Sequence, residues 1–312
     1  MKPVVAIGEI LVEIMAVSPG RGFRQPIDLV GPFPSGAPAI FIDQAARLGA
    51  PCAMIGCVGD DDFGWLNIER LRGDGVDVSA IEVRSGAATG SAFVRYREDG
   101  DRDFVFNIRD SANQYIRLGE AALAVLAQAG HLHVVGSSLG SDAIATAVLA
   151  AIDIVRSGGG TVSFDPNIRR EMLETPGIRE AMQRVLAATD LFLPSGDELL
   201  LFSSQTDATA ALHRLLARGI SAIVHKQGAA GARYVDATTD LFQQGFAANE
   251  VDPTGAGDIF GATFVANWLK GIPPQESLRQ ACAAGALAVS RKGPMEGVSS
   301  AEEIARFLES VR

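Results

Sequence analysis

The feature that most restricts the fold is a regular alternation that begins after Gly119. Helix-like segments at 119–128, 141–156 and 177–188 lead into strand-like segments at 131–136, 161–165 and 190–193. Two more helices, near 196–204 and 206–218, lead into a strand at 221–225. Strands joined through helices cannot pair as hairpins, so they cross over and line up in parallel. A parallel sheet of this kind is covered by helices on both faces. Upstream, Val4 to Ile7 reads as a short buried strand that ends at Gly8. Ile40, Phe41, Ala45 and Leu48 then recur at helical spacing and stop at Gly49. A strand from Cys52 to Val58 and a helix from about Phe63 to Arg72 follow. Short strands at 232–235 and 240–244 precede helices at about 255–270, 275–291 and 300–311.

Two stretches break the pattern. Residues 10–34 mix β-branched residues with Gly and Pro and read as short antiparallel strands and loops. Residues 78–108 contain a hairpin, with 92–97 and 104–106 joined by the turn Glu98-Asp99-Gly100-Asp101. Together they form a small β-sheet flap on one large α/β domain spanning 1–312. The length and the 47% hydrophobic content suit a packed globular chain. A net charge of -10 argues against nucleic acid as a partner, because phosphate backbones demand clustered Lys and Arg. No apolar run is long enough to cross a membrane. The opening apolar run meets Glu9 too soon for a secretory signal. Three scattered cysteines, Cys52, Cys57 and Cys282, fit a reducing compartment. A cytoplasmic location is therefore expected. Four scattered histidines without HExxH or CxxC give no reason to expect zinc.

The stretch richest in chemistry is Asp252-Pro253-Thr254-Gly255-Ala256-Gly257-Asp258, just ahead of a strongly apolar helix. Gly255 and Gly257 let the backbone turn tightly and bring bare N–H groups close to a ligand. A helix starting there aims its free amides and positive dipole end at the same point, which suits an anion. Asp258 adds a carboxylate, an odd choice for anion binding alone. It makes sense as a base that takes a proton from an attacking hydroxyl while the amides hold a transferring phosphoryl group. The plainer alternative is a helix start capped by Thr254, with an acid favoured by the dipole. The glycines do not form the dinucleotide fingerprint, which would follow the first strand, and no GxxxxGK[ST] loop exists.

The turn resembles the C-terminal signature of the PfkB, or ribokinase-like, carbohydrate kinases. Other segments resemble that family in order along nearly the whole chain. They are Ser35-Gly36-Ala37-Pro38-Ala39, Ala46-Arg47-Leu48-Gly49, Val58-Gly59-Asp60-Asp61-Asp62-Phe63-Gly64, Asp165-Pro166-Asn167-Ile168-Arg169 and Lys226-Gln227-Gly228-Ala229-Ala230-Gly231. The resemblance implies a three-layer fold, with a mostly parallel sheet between helices and a β-sheet lid. It implies transfer of a phosphoryl group from ATP, with Mg2+, to a sugar hydroxyl. By it, Asp258 is the catalytic base and Gly255, Ala256 and Gly257 form the anion hole. Glu13, Gly36, Arg109, Asn167 and Arg169 would meet the sugar. Ser195, Lys226, Gly228, Gly231, Cys282 and Ala286 would lie along the nucleotide. Glu198 would organise magnesium through water, and Asp252 would help hold a monovalent cation, usually potassium. The lid implies a homodimer, since it often serves as the dimer contact.

Several positions depart from the family pattern. Ser35 replaces a glycine, Ile40 an Asn directed at the sugar, and Ser195 the Asn of an N-x-x-E motif. Ala92 stands where the 2-keto-3-deoxygluconate kinases tend to carry Tyr, and Glu13 where the family usually has Asp. The opening residues look most like tagatose-kinase-like members, which implies a ketohexose of tagatose or fructose type. Arg109 and Arg169 keep 2-keto-3-deoxygluconate as an alternative, since guanidinium forks suit a carboxylate. A catalytically silent sugar-binding protein is a more distant alternative. The Asp60–Asp62 run reads as a solvated loop without a catalytic role.

Overall fold

Strict alternation along the first strand sets up two cores. In β1 (Val4–Ile7), Val5 and Ile7 face one layer while Val4 and Ala6 face the other, and all four are buried. The structure is a computed structural model that describes residues 1–20, 22–97, 102–168 and 177–311. The strands that follow β1 are β2 (Leu11–Ala16), β3 (Leu29–Ser35), β4 (Cys52–Gly59), β5 (Ile81–Arg84), β6 (Gly90–Tyr96) and β7 (Arg102–Asn107). The second half supplies β8 (His131–Val135), β9 (Thr161–Asp165), β10 (Leu191–Phe192), β11 (Ala222–Lys226), β12 (Gly231–Asp236) and β13 (Asp240–Gln244).

The large sheet runs β13-β12-β11-β10-β9-β8-β1-β4-β5. It is parallel from β5 to β11, and its last two strands are antiparallel. The helices α3 (Glu120–Gln128), α4 (Asp142–Ser157), α5 (Ile178–Ala187), α6 (Glu198–Ser203) and α7 (Ala208–Leu216) cover one face. The other face carries α1 (Ala37–Arg47), α2 (Asp62–Gly73), α8 (Ala256–Leu269), α9 (Pro274–Val289) and α10 (Ala301–Ser310). Helix α8 has no polar side: every residue from Asp258 to Asn267 is buried, because α1 and α9 flank it.

The small sheet has the order β3-β2-β6-β7. Its β2–β6 pair is parallel and its outer pairs antiparallel. The expected flap is therefore present with one correction. Of the 78–108 stretch, β5 joins the edge of the large sheet beside β4, and only β6 and β7 enter the flap. The expected turn at 98–101 lies outside the described residues.

Strand order reverses at β1, whose neighbours β4 and β8 lead in opposite directions. Ligands of open α/β sheets bind outside the carboxyl ends of the strands at such a switch point. Here the small sheet overhangs that edge.

Candidate active site

The carboxyl ends of β9 and β11 bring opposite charges together. Asp165 closes β9, Lys226 closes β11, and the carboxylate and ammonium are in direct contact while both are buried. Burial alone would lower the pKa of the ammonium. Asp165, Glu198 and Asp258 outweigh it and raise the Lys226 pKa above the usual lysine value. Lys226 is thus the point on which three carboxylates from separate strand–helix junctions converge.

Glu198 begins α6, and both of its oxygens accept backbone amides. Oε1 takes the N–H of Ile168 at 2.6 Å and Oε2 that of Ser195 at 2.7 Å. The side chain therefore staples the turn after β9 to the turn after β10. Burial and the neighbouring Asp165 charge push its carboxyl up to about 7, against the pull of Lys226 and the two amides. Asn167 turns through φ 39 in the first of those loops, and its N–H donates to Asp165 Oδ1 at 3.2 Å.

Helix α8 starts at the same place. Gly255 has φ 79, and a Cβ there would lie 2.5 Å from the Pro294 carbonyl oxygen, so no other residue fits without strain. No side chain caps the helix: the Thr254 hydroxyl, a candidate cap on sequence, donates to Asp252 Oδ1 at 2.7 Å instead. Among the described residues, the Gly255 and Gly257 N–H groups have no acceptor, and that of Ala256 makes a long 3.4 Å contact with Pro253. Asp258 sits buried in the first helical turn. A Cβ on Gly257 would lie 3.7 Å from Lys226 Nζ, so the helix start and the ammonium share a wall.

The remaining nucleotide candidates divide. Ser195 bridges to Lys226 across the strand ends, and Gly228 has open space where a side chain would stand. Gly231 has another duty: its Cβ would fall 2.0 Å from the Gln243 carbonyl, so it serves the β12–β13 pairing. Cys282 and Ala286 are buried along α9, and burial pushes the Cys282 thiol up to about 12, which leaves it a packing group.

On the sugar side, Glu13 lies on the face of the small sheet that looks toward the helix start. It is buried and accepts the Ser35 hydroxyl at 2.8 Å. Gly36 turns with φ 113 past the Glu9 carbonyl, 2.4 Å from where a Cβ would be; the chain crossing itself demands glycine there. Arg109 is exposed after β7 and lines a cavity of about 570 Å³ with Asp61, Asp62, Phe63, Phe106 and Asp110. The walls of that cavity do not include Lys226, Asp165 or Asp258. Arg169 lies outside the described residues. Asp61 is structural, accepting the amides of Gly64 and Thr89 at 2.9 and 2.7 Å and so anchoring α2 to the start of β6.

Two residues escaped the sequence reading. Asp165 stood in a recognised segment without a role, because its partner Lys226 is 61 positions away. Arg102 carried no signal at all. It extends from β7 and donates to Thr254 Oγ1 at 2.6 Å, with its Nη1 also 4.0 Å from Asp252 Oδ1. Tyr96 is close enough that the Asp252 charge, after burial, helps to raise its phenol's pKa, while its hydroxyl is directed at Met15 Sδ, 3.7 Å away.

These contacts bear on the cation expected at Asp252. Its Oδ1 accepts the N–H and O–H of Thr254 at 3.0 and 2.7 Å, and its Oδ2 accepts the Gly293 N–H at 3.0 Å. These three hydrogen bonds take most of the roughly four lone-pair sites of a carboxylate, and the Arg102 guanidinium stands 4.0 Å from Oδ1. The carboxylate that the resemblance made a cation ligand therefore has a guanidinium beside it.

A family model described as pfkB family carbohydrate kinase matches residues 1–301. The chain belongs to the PfkB family of carbohydrate kinases. As a PfkB kinase it is a phosphotransferase with a sugar as acceptor. It is 32% identical over 319 residues to a 2-dehydro-3-deoxygluconokinase of Thermoproteus tenax, covering 100% of this chain and 95% of the relative. It is 32% identical to a fructokinase of Klebsiella pneumoniae, covering 97% and 98%. A crystal structure from E. coli, of a protein provisionally called ribokinase II and solved with ATP and Mg2+, is 47% identical with a TM-score of 0.95. That match spans 99% of this PfkB kinase and 100% of the E. coli chain.

Proposed function

We propose that this PfkB kinase moves the γ-phosphoryl group of ATP to a hydroxyl of a neutral ketohexose, of tagatose or fructose type. The observation that carries the chemistry is the convergence of Asp258, the amides at the start of α8, and Lys226. Asp258 takes the hydroxyl proton as the new P–O bond forms. The amides of Gly255 and Gly257 hold the charge on the migrating group, and Lys226 adds a buried positive charge beside them. Glu198 and Asp165 suit magnesium held through its own water shell, which supplies neutralisation of the phosphate charge when bound. The E. coli neighbour solved with ATP and Mg2+ supports that pair of ligands.

Two observations support a neutral sugar. Glu13 offers a buried carboxylate, a hydroxyl acceptor that repels an acid. Arg109, the residue that would greet a sugar acid, stands among Asp61, Asp62 and Asp110. The second reading, 2-keto-3-deoxygluconate, is favoured by the Thermoproteus relative. An ADP-release assay across ketohexoses, aldoses and sugar acids tests both. Turnover with tagatose or fructose at least about tenfold above the acid, in kcat/KM, supports the first reading. The reverse order overturns it.

The kinase works as a homodimer through its lid and in the cytoplasm. Support for the dimer comes from the lid's outer face, where Ile14, Phe93 and Val105 line up across β2, β6 and β7. Val105 there is 50% exposed, and Leu29 on β3 is 42% exposed. Among the described residues, no helix is long and apolar enough to cross a membrane.

A further inference from the structure

Three lid residues rest on the loops that carry the anion hole. Arg102 donates to Thr254, the Tyr96 phenol stands close enough to Asp252 to feel its charge, and the Phe33 ring comes within 2.7 Å of where a Cβ on Gly293 would be. Thr254 relays the contact: its hydroxyl accepts from the Arg102 guanidinium and donates to Asp252 Oδ1. Asp252 is fully buried, so an uncompensated charge there would be costly. Arg102 supplies the compensation through a chain of short hydrogen bonds. The nearby backbone acceptor is also spent, since Val289 O takes the amides of both Val251 and Asp252, at 2.7 and 3.1 Å.

We propose that Arg102 is a positioning residue that takes, beside Asp252, the charge role of a monovalent cation, so that this kinase works without potassium or sodium. The guanidinium is covalently part of the lid. The charge therefore arrives at the anion-hole turn with the lid, and a diffusible ion meets a carboxylate that already takes three hydrogen bonds and has a fixed positive charge 4.0 Å away. The proposal rests on the kinase reading above for its activity arm, while its stability arm does not.

The test compares KCl, NaCl and tetramethylammonium chloride at an equal ionic strength of about 0.1 M. For the unaltered protein, kcat with its best sugar changes by less than about fivefold among the three salts. The melting temperature without substrate is the same in all three, because no cation binds the folded state. Saturable activation by K+ beyond that factor, or a K+-specific rise in melting temperature, overturns the proposal. Arg102→Met lowers kcat more than it raises KM and makes kcat and melting temperature respond to K+, whereas Arg102→Lys keeps the cation-blind behaviour. An Arg102→Met protein with unchanged kcat and no new cation response also overturns it. Should Arg102→Met fail to fold, the salt comparison on the unaltered chain still decides. If no sugar is turned over, the kinase reading fails and the melting comparison alone judges the cation inference.

Discussion

At the scale of single residues, Asp258 and Lys226 act as one electrostatic unit. Lys226 is held in its charged form by three carboxylates, and Asp258 is the one at the helix start. Asp258→Asn keeps the shape of the turn but removes the proposed proton acceptor. Its expected effect is a loss of roughly 10²–10⁴-fold in kcat, with ATP affinity by calorimetry little changed. Turnover equal to the unaltered enzyme would remove Asp258 from its role. Gly255 acts through the backbone. Gly255→Ala forces a side chain into φ 79 and against Pro294 O, so a stability loss of at least about 1–3 kcal/mol is expected in urea unfolding, together with a fall in kcat. Gly257 differs from Gly255 in having no positive φ and nothing nearer than Lys226 Nζ, so its glycine keeps a wall of the site open and relieves no strain.

At the scale of elements, the strands hold a device that the chemistry does not use. In the β8–β9 pair, His131 bridges Thr161 and Ser163 at 2.7 Å each, and His133 reaches Ser163 at 2.8 Å. Burial holds His131 neutral, with its pKa down at about 3. The unfolded chain, near the ordinary value, takes up that proton first as the pH falls. Folding stability therefore drops between pH 6.5 and about 3 and is fully present above that window. A melting-temperature profile should fall on the acid side, and His131→Gln should lessen that fall if the amide keeps both hydroxyl partners, the rest coming from His133, which burial also holds neutral.

Elements were also what the sequence displayed best. The alternation after Gly119 predicted each helix and strand of the second half to within a few residues, since buried parallel strands and amphipathic helices leave regular patterns. The strand 81–84 was misassigned to the flap because a four-residue edge strand carries no mark of the sheet it joins. The glycine turn at the start of α8 was legible because glycines and an acid at a helix start are local chemistry. The Lys226–Asp165 contact and the Arg102 latch were not, because each joins segments far apart along the chain and only tertiary packing creates them.

At the scale of the whole molecule, the lid has two different faces. The inner one carries Glu13, Phe33, Tyr96 and Arg102 toward the site, and the outer one carries Ile14, Phe93 and Val105 toward solvent. A second copy of the chain would cover the outer face. Val105→Asp is expected to shift the mass seen by sedimentation or light scattering from dimer to monomer. A monomer for the unaltered protein would remove the dimer proposal.

The chain crosses between the lid and the large sheet at four places. The linkers are residues 8–10 after β1, Gly36 before α1, 85–89 after β5, and the segment following β7. Linkers this short permit rotation about one line but little sliding. An opening about these tethers would withdraw Glu13, Tyr96 and Arg102 together and leave Asp165, Lys226 and Asp258 on the frame. Sugar entry, solvent exclusion and the charge delivery proposed for Arg102 would then share one mechanical coordinate, and altering any one tether should change the timing of all three together.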